Sequence, residues 1–268
     1  MESSSTMNIL TTSCGNTVLP YCINLERIKD RRLNMDNMCE EHKFPINYLN
    51  AFDVNLLLND DTKQPIKTSK VMCGVDCVDG IMNPLTVISS DPLYRGRKFK
   101  HTPPSMIDSK YRAYVTNLYL ATLACSMSHM ECFRIFYETT NADYLLILED
   151  DASMSGNFTD VLSGILKYQF DICLVGTSPQ GKPIASETNN DLLYRPSERW
   201  YCGSSAYLMS RTFAARLIPF DIIYFAADEF FGYCQRDMGA ELFAMRDPFF
   251  GLSSFAKISN CLTSTTSK

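Results

Sequence analysis

Tyr144-Leu145-Leu146-Ile147-Leu148-Glu149-Asp150-Asp151 is a short, wholly apolar run that ends in three consecutive acids. It has the length and content of a strand buried on both faces, as in a parallel sheet. Ligands in open α/β sheets bind beyond the carboxyl ends of the strands, which is where these acids emerge. Two carboxylates about 4 Å apart repel by roughly 4 kcal/mol at an effective dielectric of about 20. A proton, a basic partner or a divalent cation must offset that. Mg²⁺ and Mn²⁺ prefer oxygen ligands and often complete their shell with substrate phosphates. Two readings follow from these residues: a metal-diphosphate site, or an acidic loop solvated at a strand end.

Outward from this strand the chain alternates strand and helix patterns. Upstream, Tyr111 to Thr139 has Leu118, Leu123, Ser126, Met130 and Phe133 at helical spacings and leads into Tyr144. Val18 to Leu25 reads as the first strand, followed by a helix that opens at Glu26 and runs to about His42, and Pro45 to Phe52 reads as a second strand. Strand, polar-opening helix and strand form the first unit of a nucleotide-binding α/β fold. Downstream, Phe170 to Gly176, Leu192 to Arg195, Ala206 to Met209 and Glu241 to Met245 are strand candidates. Phe158 to Tyr168, Arg211 to Leu217 and Asp228 to Arg236 are helix candidates. The periodicity fades from Asp53 to Ser109, a stretch holding five of the twelve prolines, with β-like pieces near Lys70 to Val75 and Leu85 to Ser89. So long a connection has its own small structure or is a functional loop. The chain divides into a flexible lead-in at 1–16, a single domain at 17–258 with the irregular excursion at 53–110, and a flexible tail at 259–268.

The 268 residues are 46% hydrophobic and 21% charged, as in a soluble globular protein. A net charge of −5 and a pI near 5.3 argue against a nucleic-acid partner or an anionic membrane surface. No apolar run approaches the roughly 20 residues of a membrane span, and the polar start shows no signal peptide. The eleven cysteines are scattered without a C-x-x-C pair and there are three histidines, which disfavours a structural zinc site. Unpaired thiols inside apolar segments place the protein in a reducing, intracellular, cytoplasmic setting.

Three segments occur in order: Ile23-Asn24-Leu25-Glu26-Arg27-Ile28-Lys29-Asp30-Arg31, Cys125-Ser126-Met127-Ser128-His129 and Leu148-Glu149-Asp150-Asp151. They resemble the I-N-L-x-R-x-x-D-R opening, G-C-x-x-S-H helix and E-D-D strand end of glycosyltransferase family 25, the lipooligosaccharide and collagen galactosyltransferase group. Gly203 to Arg211 resembles that family's small-residue segment, and Ala227-Asp228 stands at the place of a late aspartate. The resemblance implies a GT-A-like, Rossmann-type fold with a mainly parallel central sheet flanked by helices. It also implies a UDP-sugar donor carrying galactose or glucose, a glycan or glycoprotein acceptor, Mn²⁺ or Mg²⁺, and inversion at the sugar carbon. Two departures stand out: Ala124 replaces the family's glycine, and no histidine follows His129, so the late metal-ligating histidine of many GT-A enzymes is missing.

Roles then attach to residues. Asp151 is the expected metal ligand, with Glu149 or Asp150 beside it and the remaining carboxylate taking donor hydroxyls. Arg27 and Arg31 suit phosphate or a uracil carbonyl, and Asp30 orders them or binds ribose. Asn24 either caps the next helix or reaches the base. Ser128 and His129 present to the donor pocket or pin the helix in the core. Gly203 belongs to the donor side, with Trp200 and Tyr201 as a platform for a sugar ring or as core. Asp228 or Glu229 would take the acceptor proton, or serve only as helix-start acids favoured by the dipole. Two other classes remain: a degenerate nucleotide-sugar-binding module, and a nucleotidyl or phosphoryl transferase, which would normally show a Gly-rich phosphate loop absent here.

Overall fold

The computed structural model describes residues 7–66, 85–94, 97–101, 120–154, 156–176, 191–196, 205–218, 222–223, 227 and 229–253. In chain order the first half contains β1 (Leu10–Thr11), β2 (Thr17–Asn24), α1 (Lys29–Glu41), β3 (Asn47–Asn50), β4 (Leu57–Asn59), β5 (Leu85–Ser89), β6 (Lys98–His101) and α2 (Leu120–Thr139). Then follow β7 (Tyr144–Glu149), β8 (Ala152–Met154), α3 (Phe158–Ile165), β9 (Ile172–Leu174), β10 (Leu193–Tyr194) and β11 (Ala206–Ser210). The rest are α4 (Arg211–Leu217), β12 (Ile222–Ile223), α5 (Glu229–Asp237), β13 (Leu242–Met245) and β14 (Phe250–Leu252).

The main sheet runs β1-β2-β7-β11-β9-β13-β10, with β3 also on β2. It is α/β with helices on both faces, but it is mixed rather than mainly parallel. β2 pairs in parallel with β3 and β7, and β9 with β13, whereas β11 runs antiparallel to both β7 and β9. The apolar run of β11 is buried at every position. A strand covered on both faces reads the same in either direction, so its sequence carries no sign of the reversal.

The unbroken apolar run of β7 now has its reason. Alternate residues of a strand point to opposite faces. Leu145 and Ile147 enter a core with Phe133 and Phe136 of α2, Phe213 of α4 and Phe231 of α5. Leu146 and Leu148 enter another with Met35 of α1 and Phe158 and Leu162 of α3. Within the stretch read as a lead-in, Leu10 and Thr11 pair with Val18 and Thr17. The intervening turn is closed by Thr12 N–H to Asn16 O at 2.9 Å, with Gly15 at φ +85°.

The excursion builds its own layer. β12, β6, β5 and β4 form a four-stranded sheet, and Phe52 stacks on Tyr94 at 3.9 Å between ring centroids. Both rings join Leu57, Val87, Phe99 and Leu123, Ala124 and Met127 of α2 in a separate core. α2 therefore buries one end under this small sheet and the other under the main one. The expected β-like piece at Lys70 to Val75 lies outside the described residues.

The end of β9 shows how tightly the acidic strand is bound to its neighbour. A side chain on Gly176 would stand 2.6 Å from Ala206 Cβ and 2.9 Å from Ala206 N. Val175 and Gly176 both donate to Ala206 O, and Ser205 O accepts from Glu149 N at 2.8 Å. Gly176→Ala should force these backbones apart and cost about 1–3 kcal/mol. Urea unfolding tests it, and a loss below about 0.5 kcal/mol would mean that this approach is not constrained.

Candidate active site

The parallel pairing of β2 with β7 places Ile23 opposite Glu149. The next residues, Asn24 and Asp150, consequently leave the sheet side by side. Asn24 Nδ2 donates to Asp150 Oδ2 at 2.8 Å, and Arg31 Nη1, from the first turn of α1, donates to Asp150 Oδ1 at 2.7 Å. All three residues are buried. Asp150 thus spends both carboxylate oxygens inside the protein. Asn24 does not cap the next helix: Ile28 holds the N-cap position of α1, without a side-chain cap.

Asp151 turns the other way. Its Oδ2 lies 3.7 Å from Arg31 Nη1, while its Oδ1 is buried with no hydrogen-bond partner. Burial, followed by the charge of Glu149, raises the Asp151 carboxyl from 3.8 to about 6, against the opposing pull of Arg31. Its backbone oxygen accepts from Ser253 N at 2.8 Å. That bond continues the β8–β14 pairing, in which Ala152 faces Leu252, and clamps the acidic turn from the far end of the chain.

Beside Glu149, on α2, His129 is 3% exposed. Its Nδ1 lies 2.7 Å from Tyr207 Oη, and its Nε2 lies 3.4 Å from Glu149 Oε1, buried and without a hydrogen-bond partner. Ser128, fully buried, donates to Ala124 O at 2.8 Å and accepts from Phe52 N at 2.9 Å. It fastens the exit of β3 to α2. Arg27 Nε contacts Asp53 Oδ2 at 2.6 Å with about half of its side chain exposed. Asp30 is exposed in the first turn of α1 and does not line the cleft.

The cleft has a volume of about 170 Å³ and is lined by Arg27, Arg31, Cys125 and Ser128 together with Glu149, Asp150 and Asp151. A shallower depression of about 300 Å³ opens beside it, sharing Leu25 and Arg27 and bounded by Asp53, Leu56 and Asp91 of the excursion. Of the residues singled out from sequence, Asn24, Arg31, Glu149, Asp150, Asp151, Ser128 and His129 therefore meet at one place, with Arg27 at its mouth. Gly203, Trp200, Tyr201 and Asp228 lie outside the described residues, and α5 begins at Glu229, whose side chain is likewise outside them. Sequence reasoning missed Asp53, Tyr207 and the Ser253 clamp. Cys125 and His129, four residues apart on a helix, did carry a readable signal of a shared face.

A sheet with helices on both faces and a carboxylate-lined cleft at the carboxyl edge of its parallel strands is the arrangement of the open α/β class, whose ligands bind at that edge. Within that class the chain belongs to glycosyltransferase family 25 (LPS biosynthesis protein), whose family model matches residues 19–178. No curated protein gives a significant match. Among solved structures, the crystal structure of A197 from STIV is similar over 44% of this chain, at 16% identity and a TM-score of 0.31. The matched region spans 62% of that chain. Among the described residues no helix is long and apolar enough to cross a membrane.

Proposed function

We propose that the protein transfers a hexose, galactose or glucose, from a UDP-sugar to a hydroxyl of a glycan or glycoprotein, on a GT-A-like scaffold. The observation that carries this reading is the pair Glu149 and Asp151 in the cleft of a family 25 chain, with Asp151 Oδ1 buried and unpartnered. A buried carboxylate oxygen without a donor costs free energy until a cation or proton meets it. The residues therefore fit Mn²⁺ or Mg²⁺, with Asp151 and Glu149 as its holders. When bound, such an ion would neutralise charge growing on the departing diphosphate.

The chain's own residues supply the rest. Asn24 and Arg31 hold Asp150, and Asp150 fixes the turn from which Asp151 projects. Arg27, anchored by Asp53 at the mouth, is placed to bind phosphate oxygens or a uracil carbonyl. The neighbouring depression, walled by the excursion, is assigned to the acceptor. Asp228 or Glu229 is assigned to take the acceptor proton, which gives inversion and a β-linkage. An α-linked product would remove that base from the account.

The test is a panel of nucleotides and nucleotide sugars, with and without Mn²⁺, read by thermal unfolding. A UDP-sugar at 100 times its dissociation constant should add about 2.7 kcal/mol of stability, only with the cation. Stabilisation by no nucleotide sugar under either condition would defeat the donor assignment.

A further inference from the structure

Cys125 and His129 stand one turn apart on the same face of α2, and that face meets the end of β7 at Glu149. Cys125 Sγ, a ring nitrogen of His129 and a carboxylate oxygen of Glu149 all lie within 4.8 Å of one another. We propose that these three side chains form a binding site for a thiophilic divalent cation of the Zn²⁺ class. This inference rests on their placement and stands whether or not the donor assignment holds.

Four features of the site support it. First, the i, i+4 spacing on a helix is the arrangement by which two side chains chelate one ion, as in helical two-histidine zinc sites. Second, His129 Nε2 is deeply buried and without a partner, and it aims at Glu149. Its 3.4 Å separation from Glu149 Oε1 matches the edge of about 3.4 Å that tetrahedral zinc–nitrogen and zinc–oxygen distances produce. Third, the Nδ1 contact with Tyr207 Oη at 2.7 Å holds the ring from behind, as the outer partner of a metal-bound histidine does. Tyr207 is itself fixed, fully buried on β11 with its ring edge-on to Phe231. Fourth, Cys125 and Glu149 line the cleft, which gives an ion a path to the three side chains.

The donor set differs in kind from the all-oxygen pair Glu149 and Asp151. Sulfur and imidazole nitrogen favour Zn²⁺, Co²⁺ or Cd²⁺, and carboxylates alone favour Mg²⁺ or Mn²⁺. Glu149 is common to both sets. An ion held by Cys125 and His129 therefore engages a carboxylate that the donor site also uses.

Co²⁺ added to the metal-free, reduced protein tests the assignment. One equivalent should produce a thiolate-to-cobalt charge-transfer band with tetrahedral d–d absorption, bleached by Zn²⁺. The band should vanish in Cys125→Ser and persist in Asp151→Ala. In the wild type, Zn²⁺ at 100 times its dissociation constant should slow alkylation of Cys125 about a hundredfold and leave the exposed Cys14 unaffected. This second readout needs no variant and so does not depend on how Cys125→Ser folds. A band that survives Cys125→Ser, a band lost in Asp151→Ala, or equal alkylation of Cys125 with and without Zn²⁺ would each overturn the site.

Discussion

Replacing Arg31 with methionine will destabilise the protein by about 3–5 kcal/mol at pH 7, the scale on which removing one partner of a buried ion pair acts. The side chains of Arg31 and Asp150 are 9% and 10% exposed, and their 2.7 Å contact is backed by a further approach to Asp151 at 3.7 Å. Without the guanidinium, Asp150 keeps the Asn24 amide among its described partners, and Asp151 loses the cation 3.7 Å away. Equilibrium urea unfolding measures the loss. The double variant Arg31→Met with Asp150→Leu should recover much of it, because the stranded charge goes with its partner. A single-variant loss under about 1 kcal/mol would show that water already reaches the pair.

Asp151→Asn should do the opposite to stability and abolish function. The folded state holds the Asp151 proton more tightly than the unfolded chain, at about 6 against 3.8. The resulting penalty is absent below about pH 4, grows as pH rises towards 6, and is fully present above it. A shift of about two units corresponds to at most roughly 3 kcal/mol. The metal-free variant should therefore exceed wild type by about 2–3 kcal/mol at pH 7, with the two curves converging near pH 4. Turnover should fall at least about a hundredfold, the equivalent of about 2.7 kcal/mol of transition-state stabilisation. Equal stabilities at pH 7 would mean that the carboxylate is not desolvated as the geometry requires. A functional group held at a cost to the fold is the expected signature of a site rather than of packing.

The acidic strand end was legible because β7 is covered on both faces and its apolar run stops abruptly at Glu149. The convergence of Asn24, Arg31, His129 and the acids was legible too, because strand–helix–strand order brings the ends of β2 and β7 to one edge. Division of labour among the acids was not. Sequence alone left Glu149 and Asp150 interchangeable beside Asp151, and the parallel register that sets Asn24 and Arg31 against Asp150 separates them. The reversal of β11 was hidden by burial on both faces. The β8–β14 pairing was hidden because its strands are three residues each and distant in sequence. Neither carries a pattern long enough to announce a partner. Tyr207 behind His129 was unreadable for a related reason, since a tyrosine in a buried strand shows nothing of what its hydroxyl meets.

Isothermal titration of the stabilising UDP-sugar into wild-type and Asp151→Asn protein, with Mn²⁺ present, tests the central claim most directly. The account predicts saturable 1:1 binding to the wild type and at least a tenfold weaker affinity in the variant, a difference of about 1.4 kcal/mol. Equal affinities in the two proteins would take the donor away from the acidic turn.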